Sequence, residues 1–221
     1  MGEKILGFMG NDTPFGRIMT RIWIVVAGNL LFLLFSIPVI TIGASYCGLN
    51  YLMLKAHKED GEIYIFKTFW KGFKENFKQG TIAWIIMALL AVFGYIDIQV
   101  CKNTTGPIST FRYPILAMGI LLLILVLYLF PVIVSFQNRL PMLAQHACYF
   151  AFRNPIRALL LAAMHVICWV LTYMSESMTA LFAFIWFFFG FGLLAYITAG
   201  ALVKDFTSTS ANTAADESAD E

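Results

Sequence analysis

The sequence predicts an all-α polytopic membrane protein with six transmembrane helices and a cytoplasmic amphipathic interfacial helix between spans two and three. Its composition is the first observation: 60% of the 221 residues are hydrophobic and 13% are charged, whereas a soluble domain is about half apolar and about a quarter charged. Uncharged runs such as 116–136 and 178–203 also exceed the roughly 18 residues that indicate a transmembrane helix. The third observation is the clustering of basic residues, which six crossings place on one side.

The first hydrophobic stretch, residues 22–54, is too long for one crossing. A single helix of that length would measure about 50 Å, against a hydrocarbon core of about 30 Å. We therefore expect a hinge at Pro38, Thr41 and Gly43 that turns the chain back through the membrane.

The later apolar runs are interrupted by polar loops and give four further spans. The six predicted spans are residues 22–37, 39–54, 81–100, 113–136, 156–173 and 178–204. Residues 1–204 form one transmembrane domain, whose first 20 residues are irregular or a short interfacial helix. The tail 205–221 is rich in Ser, Thr and Ala, ends in acidic residues and is predicted to be disordered.

The distribution of lysine and arginine fixes the predicted orientation. With six spans, 13 of the 15 basic residues lie on one side; with residues 22–54 as a single crossing, the division becomes 10 to 5. Because basic residues favour the cytoplasmic side, six spans with both termini in the cytoplasm are predicted. The net charge of +2 indicates no nucleic-acid partner.

Residues 63–78 carry the clearest helical pattern between the spans. Aromatic residues recur at helical spacing, and lysines recur one residue out of phase. The candidate lipid- or partner-docking residues are Phe66, Lys67, Phe69, Trp70, Lys71, Phe73, Lys74, Asn76, Phe77 and Lys78. A helix lying in the headgroup layer of anionic lipid is the simpler interpretation, since each lysine adds about 1 kcal/mol of attraction. A docking surface for a cytoplasmic partner is the alternative.

Two polar residues stand near the middle of predicted spans. Asn29 can bridge helices through its amide, at about 1 kcal/mol. A neutral His165 can be satisfied by a neighbouring carbonyl or hydroxyl, or it can serve as a proton relay or ligand contact. Small residues predict close helix packing, within the chain or in a homo-oligomer. These are Ala44, Gly48, Gly192, Ala195, Ala199 and Gly200.

The sequence carries no motif of catalysis. It has no phosphate-binding loop, no HExxH, no GxSxG elbow and no Cys/His cluster of metal-ligand spacing. We therefore expect a non-enzymatic protein without a cofactor or metal. A weak internal repeat is also possible, because residues 73–78 and 152–157 resemble each other and each precedes an outward-running span.

Several short segments resemble the YesL family of bacterial membrane proteins, whose function is unknown. They are Asn29-Leu30-Leu31, Pro38, Thr41-Ile42-Gly43-Ala44, and the run from Phe69 through Phe73-Lys74-Glu75-Asn76-Phe77-Lys78-Gln79, with Arg139 at a position where the family usually has a basic residue. The resemblance implies a bacterial cytoplasmic (inner) membrane location. It also implies an accessory role in carbohydrate import, with ABC importer subunits as partners beside the lipid bilayer. It carries over no catalytic residue.

Two other functions are compatible with the sequence. The runner-up is a small autonomous transporter or channel, which six spans, a possible repeat and His165 would suit. The third is a structural or sensory membrane protein that acts as an oligomer.

Overall fold

The structure, a computed structural model, describes residues 14–59, 63–104 and 110–219, with side chains between Phe15 and Phe206. These residues form helices joined by short turns, without a β-strand in the described ranges. The predicted irregular segment 1–20 falls largely outside them, and its last residues already belong to the first helix. That the chain is all-helical, as the sequence predicts, is confirmed for this part.

The described residues form helices in the following order. They are α1 Pro14–Phe35, α2 Ile42–Lys58, α3 Ile65–Glu75, α4 Phe77–Asn103, α5 Arg112–Ser135, α6 Leu140–Arg153, α7 Pro155–Thr172, α8 Glu176–Ile185 and α9 Phe191–Ala219, with a π-helical turn Trp186–Gly190 between the last two. Five helical segments are long and apolar enough to cross a membrane: Phe15–Phe35, Phe77–Asn103, Arg112–Ser135, Pro155–Thr172 and Glu176–Phe206. Helix α2 is shorter, at 17 residues, so a sixth crossing stays a prediction.

The chain reverses between α1 and α2, where the sequence places the hinge. Thr41 closes the turn. Its single hydroxyl proton is shared between the carbonyl oxygens of Phe35 and Pro38, each at 2.7 Å, and the Phe35 carbonyl is one that the end of α1 leaves without a helical partner. The two helices then pack against each other, and the Ser45 hydroxyl donates to the Phe32 carbonyl at 2.9 Å. Gly43 lies inside the first turn of α2 rather than in the reversal itself.

Helix α2 is the centre of the bundle and is contacted by α1, α3, α4, α5 and α9. Two glycine crossings, Gly43–Gly80 with α4 and Gly48–Gly72 with α3, bring the helices together. A Cβ on Gly43 would lie 2.1 Å from the Gly80 carbonyl oxygen, and one on Gly72 would lie 3.2 Å from the Gly48 Cα. At these crossings the absence of a side chain sets the distance between the helices.

Helix α3 is amphipathic, as residues 63–78 predict, but part of its aromatic face is inside the bundle. Phe69 and Phe73 are buried and pack against Phe35 at the end of α1, with ring centroids 5.7 and 5.3 Å away. Phe66 and Trp70 remain exposed, and so does the lysine stripe. Apolar burial against α2 therefore holds much of this helix, and its place in the headgroup layer stays a prediction.

A second amphipathic helix, α6, lies between the predicted spans 113–136 and 156–173, where the sequence predicts a polar loop. Its buried residues Leu143, Ala147, Phe150 and Ala151 follow helical spacing, but small alanines conceal the pattern. Both amphipathic helices pass into a long apolar helix through one asparagine. Asn76 joins α3 to α4 and Asn154 joins α6 to α7.

The last helix continues beyond the predicted end of the sixth span. Its backbone is helical to Ala219, into the segment for which the sequence predicts disorder. Phe206, the last residue whose side chain is described, is buried against Phe136 and Phe150.

Candidate functional site

Asn29 is completely buried, and its amide joins α1 to the π-helical turn. Its nitrogen donates to the carbonyl oxygens of Trp186 and Phe187, at 3.1 and 2.7 Å, and its oxygen accepts from the Gly192 backbone N–H at 2.9 Å. A π-helical turn disturbs the regular i→i−4 pattern, and this side chain satisfies the groups involved. Three hydrogen bonds to backbone give Asn29 a structural role.

His165 is buried on α7 and borders a cavity. Its Nδ1 lies 2.8 Å from the carbonyl oxygen of Leu161, one turn earlier, so a proton on that nitrogen is donated to the carbonyl. The Nε2 atom is then the ring nitrogen that remains for another contact.

The central cavity, with a volume of about 520 Å³, lies between α1, α2, α4, α5, α7 and the π-turn–α9 segment. Aromatic and aliphatic side chains form nearly all of its wall. They include Phe32, Leu33, Ile42, Tyr46, Trp84, Met87, Leu123, Phe130, Trp169, Trp186 and Leu194. Ser36 and His165 supply the polar side-chain groups apart from Tyr46 and the indole nitrogens. The volume suits a small-molecule site, but the wall offers few hydrogen bonds.

A second concavity, the basic cleft, has opposite chemistry. It measures about 850 Å³ and is lined by Tyr51, Lys71, Glu75, Asn76, Lys78, Gln79 and the segment 133–139 that ends in Arg139. Three cations and one carboxylate thus face a space formed by α2, the Asn76 elbow and the α5–α6 connection. The elbow is fixed to that connection because the Gln79 side-chain amide donates to the Asn138 carbonyl at 2.9 Å.

Lys71 is the best-defined charge in the basic cleft. Its ammonium lies 5.8 Å from the centre of the Tyr51 ring, within cation–π range. A hydrogen bond with the Tyr51 side chain, supported by the nearby charge of Glu75, raises the pKa of Lys71. Lys71 is positively charged at physiological pH, as an exposed lysine is in any case.

The predicted docking residues separate into two groups in the structure. Lys71, Asn76 and Lys78 line the basic cleft, together with Arg139. Lys67 and Lys74 are exposed on the same helix and lie outside that lining. Of the lysine stripe, Lys71 and Lys78 therefore contribute their charges to the basic cleft, whereas Lys67 and Lys74 do not.

The predicted small-residue positions pack helices inside the chain. Ala44, Ala195 and Ala199 are completely buried. A Cβ on Gly192 would lie 2.5 Å from the Val25 carbonyl oxygen, and one on Gly200 would lie 2.9 Å from the His57 ring. These residues bring α9 against α1 and α2.

Within the described ranges, no three His, Cys, Asp or Glu side chains are grouped so that they could hold a metal.

Sequence reasoning missed Tyr51, Glu75, Gln79 and Asn138 as cleft residues. It also missed the wall of the central cavity. The cleft joins residues about 60 positions apart, and only a prediction of α6 and its connection to α5 would have indicated that these segments meet.

Comparison with known proteins supports the family resemblance. Residues 25–98, which run from α1 into α4 and include both glycine crossings, match the profile described as "Protein of unknown function, DUF624". The uncharacterized protein YteU of Bacillus subtilis (strain 168) is 27% identical over 135 residues, which are 58% of this chain and 61% of that relative. The match thus covers less than two thirds of the relative's length, and none of the solved structures matches significantly. Both matches agree with the resemblance drawn from the sequence, and each shows that part of this chain is similar to proteins of unknown function.

Proposed function

We propose that this protein is a non-enzymatic membrane accessory that docks onto another membrane complex through the basic cleft, and that this complex is an ABC-type carbohydrate importer. The observation that carries docking is the convergence of Lys71, Lys78 and Arg139 on one cleft built from distant segments. Cations arranged in this way favour an acidic surface on a partner and speed its association. The carbohydrate part comes from the family resemblance.

The chemistry of the central cavity argues against the alternative of an autonomous sugar transporter. A carbohydrate exchanges many hydrogen bonds with water for hydrogen bonds with its site, and unpaired hydroxyls are costly in an apolar environment. The wall of this cavity is mainly aromatic and aliphatic, and Asn29 is already engaged by three backbone groups. A docking role requires no solute path.

The packing of α1 on α9 supports the proposed topology of six spans with both termini in the cytoplasm. Asn29 near the end of α1 meets Gly192 at the start of α9. Farther along α9, His57 near the end of α2 stacks on Tyr196 with ring centroids 4.1 Å apart and lies 2.9 Å from the position of a Cβ on Gly200, while Val25, one turn before Asn29, still lies against Gly192. The two helices are therefore antiparallel. An antiparallel first and last helix is what an even number of crossings would give, and this supports the proposal that α2 is the sixth crossing.

Introduced cysteines provide a matched test of this topology. Ser177, at the start of α8, and Gln145, on α6, are both polar and exposed, but the proposal puts them on opposite sides. The native thiols are less suitable because Cys101 is buried. In a cysteine-free background, a membrane-impermeant maleimide should label Ser177→Cys in intact cells and Gln145→Cys only after permeabilisation. Equal labelling of both in intact cells, or the reverse pattern, would contradict six spans with cytoplasmic ends.

Charge reversal tests docking. The full-length protein is purified in mild detergent, after cross-linking, from cells grown on an inducing carbohydrate, and its partners are identified by mass spectrometry. We expect importer permease, ATPase or binding-protein subunits, and a several-fold lower recovery with the pair Lys71→Glu and Lys78→Glu.

The control pair is Lys67→Glu and Lys74→Glu, which makes the same charge change on the same segment but outside the basic cleft. It should leave recovery unchanged. Equal losses with both pairs would show a general attraction to basic charge and no docking cleft. Recovery of only a second copy of this chain, or of no importer subunit, would disprove the importer role.

A further inference from the structure

We infer that the central cavity is a binding site for one acyl chain of a bilayer lipid. The cavity shares no lining residue with the basic cleft, so acyl-chain binding does not depend on the proposed docking function. Its wall combines three tryptophans, Trp84, Trp169 and Trp186, with phenylalanines and aliphatic side chains.

The apolar character of the cavity wall indicates which kind of molecule can bind there. An empty space of about 520 Å³ would deprive its lining of dispersion contacts on one side. Water needs two to four polar partners in order to stay in a protein cavity, and this wall supplies few. An apolar molecule satisfies the wall without unpaired hydrogen bonds, and a protein with several membrane-type helices is surrounded by acyl chains.

One polar group at the cavity distinguishes a lipid from a plain hydrocarbon. Ser36, immediately after the end of α1, lines the cavity, and its hydroxyl oxygen is buried without a hydrogen-bond partner. A buried hydroxyl of this kind can donate to the ester carbonyl that begins an acyl chain. The chain itself would then extend past Phe32 and Met87 toward Leu194, where the wall is apolar.

A photoreactive lipid tests this inference. The full-length protein is reconstituted in nanodiscs with phosphatidylethanolamine carrying a diazirine within one acyl chain, irradiated, and mapped by mass spectrometry. We expect adducts at Met87, Leu123 or Leu194 that persist after detergent washing. The variant Leu194→Phe, which fills part of the cavity, should lower these adducts several-fold. Leu193→Phe makes the same change at the exposed neighbouring position and should preserve them.

The two possible contradicting results are distinct. Adducts confined to outward-facing side chains such as Leu89 and Leu160 would show annular lipid only and overturn the inference. Equal cavity labelling in both variants would also overturn it, because a larger side chain inside the cavity should compete with a chain bound there. Retention of about one lipid per protein after washing, lost in Leu194→Phe and kept in Leu193→Phe, would support it independently of the cross-linking chemistry.

Discussion

Helix α2 is packed tightly at two places and borders a cavity beside one of them. At the glycine crossings Gly43–Gly80 and Gly48–Gly72, backbones approach so closely that a single methyl group would collide with the neighbouring helix. Gly43 also lines the central cavity, together with Ile42 and Tyr46 of the same helix, and the cavity has a volume of about 520 Å³. The chain can evidently bring helices into contact, so the cavity is no sign of a generally loose bundle.

The difference follows from side-chain size. Glycine lets helix backbones touch, as small residues commonly do in membrane proteins, whereas large rings, including those of Trp169 and Trp186, line the cavity. Trp169 and Trp186 stack with centroids 5.1 Å apart. Small residues at the crossings and large rings around the cavity therefore account for the two kinds of packing.

Gly43→Ala is expected to have the largest effect because Gly43 lies at the closer of the two glycine crossings. The added Cβ would lie 2.1 Å from the Gly80 carbonyl oxygen and 2.5 Å from the Trp84 Cβ, so α2 and α4 must separate. Overpacking of a well-packed interior costs about 1–3 kcal/mol, and a collision with backbone puts this substitution at about 3 kcal/mol or more. The thermal unfolding midpoint in detergent should fall strongly.

Gly119→Ala is the control for that substitution. Nothing lies within 4 Å of the position that its Cβ would occupy on α5, and a surface change of this kind stays within about 0.5 kcal/mol. Similar midpoints for the two variants would show that the close approach at Gly43 does not govern stability.

Asn29→Leu tests the amide that joins α1 to the π-helical turn, whose Trp186 lines the cavity. Leucine has a similar size, but it leaves the carbonyls of Trp186 and Phe187 and the Gly192 N–H without the partner they have now. Hydrogen bonds between membrane helices contribute about 0.6 kcal/mol each on average, so the loss of three should cost about 2 kcal/mol. Reduced stability should accompany faster amide exchange at Gly192.

Leu30→Ala provides the comparison for Asn29→Leu, because Leu30 is exposed on the same helix. It should change neither the unfolding midpoint nor exchange at Gly192. If Asn29→Leu behaves like it, the amide is not what holds α1 to the π-helical turn.

Much of the fold follows from local sequence, whereas the sites do not. Apolar runs and the breaker at Pro38 locate the long helices and the chain reversal to within a few residues, because hydrophobic length and proline act locally. The pattern of residues 63–78 predicts helix α3, but not that Phe69 and Phe73 would be buried against Phe35. Helix α6 was missed because alanines at buried positions weaken its periodicity.

The candidate sites depend on contacts between distant residues. Lys71 and Arg139 line the same cleft because the end of α5 lies beside the Asn76 elbow. The hydrogen-bond partners of Asn29 lie about 160 positions later in the chain. Nothing in the local pattern marks a π-helical turn or a cavity, since each results from how whole helices are placed. The sequence could therefore identify Asn29 and His165 as polar residues within apolar spans. It could not show that the Asn29 amide makes three hydrogen bonds to backbone or that His165 lines the central cavity.

Apart from the controls, Leu194→Phe should have the smallest effect, because its side chain borders the cavity. Leu194 lines the central cavity, so the added ring atoms can enter free space. Leu202 is completely buried on the same helix and does not line that cavity. Overpacking at Leu202→Phe should cost about 1–3 kcal/mol, whereas Leu194→Phe should cost less than about 1 kcal/mol. Thermal unfolding of the two variants in delipidated detergent measures the difference, and equal losses of stability would mean that the space beside α2 cannot accommodate added atoms.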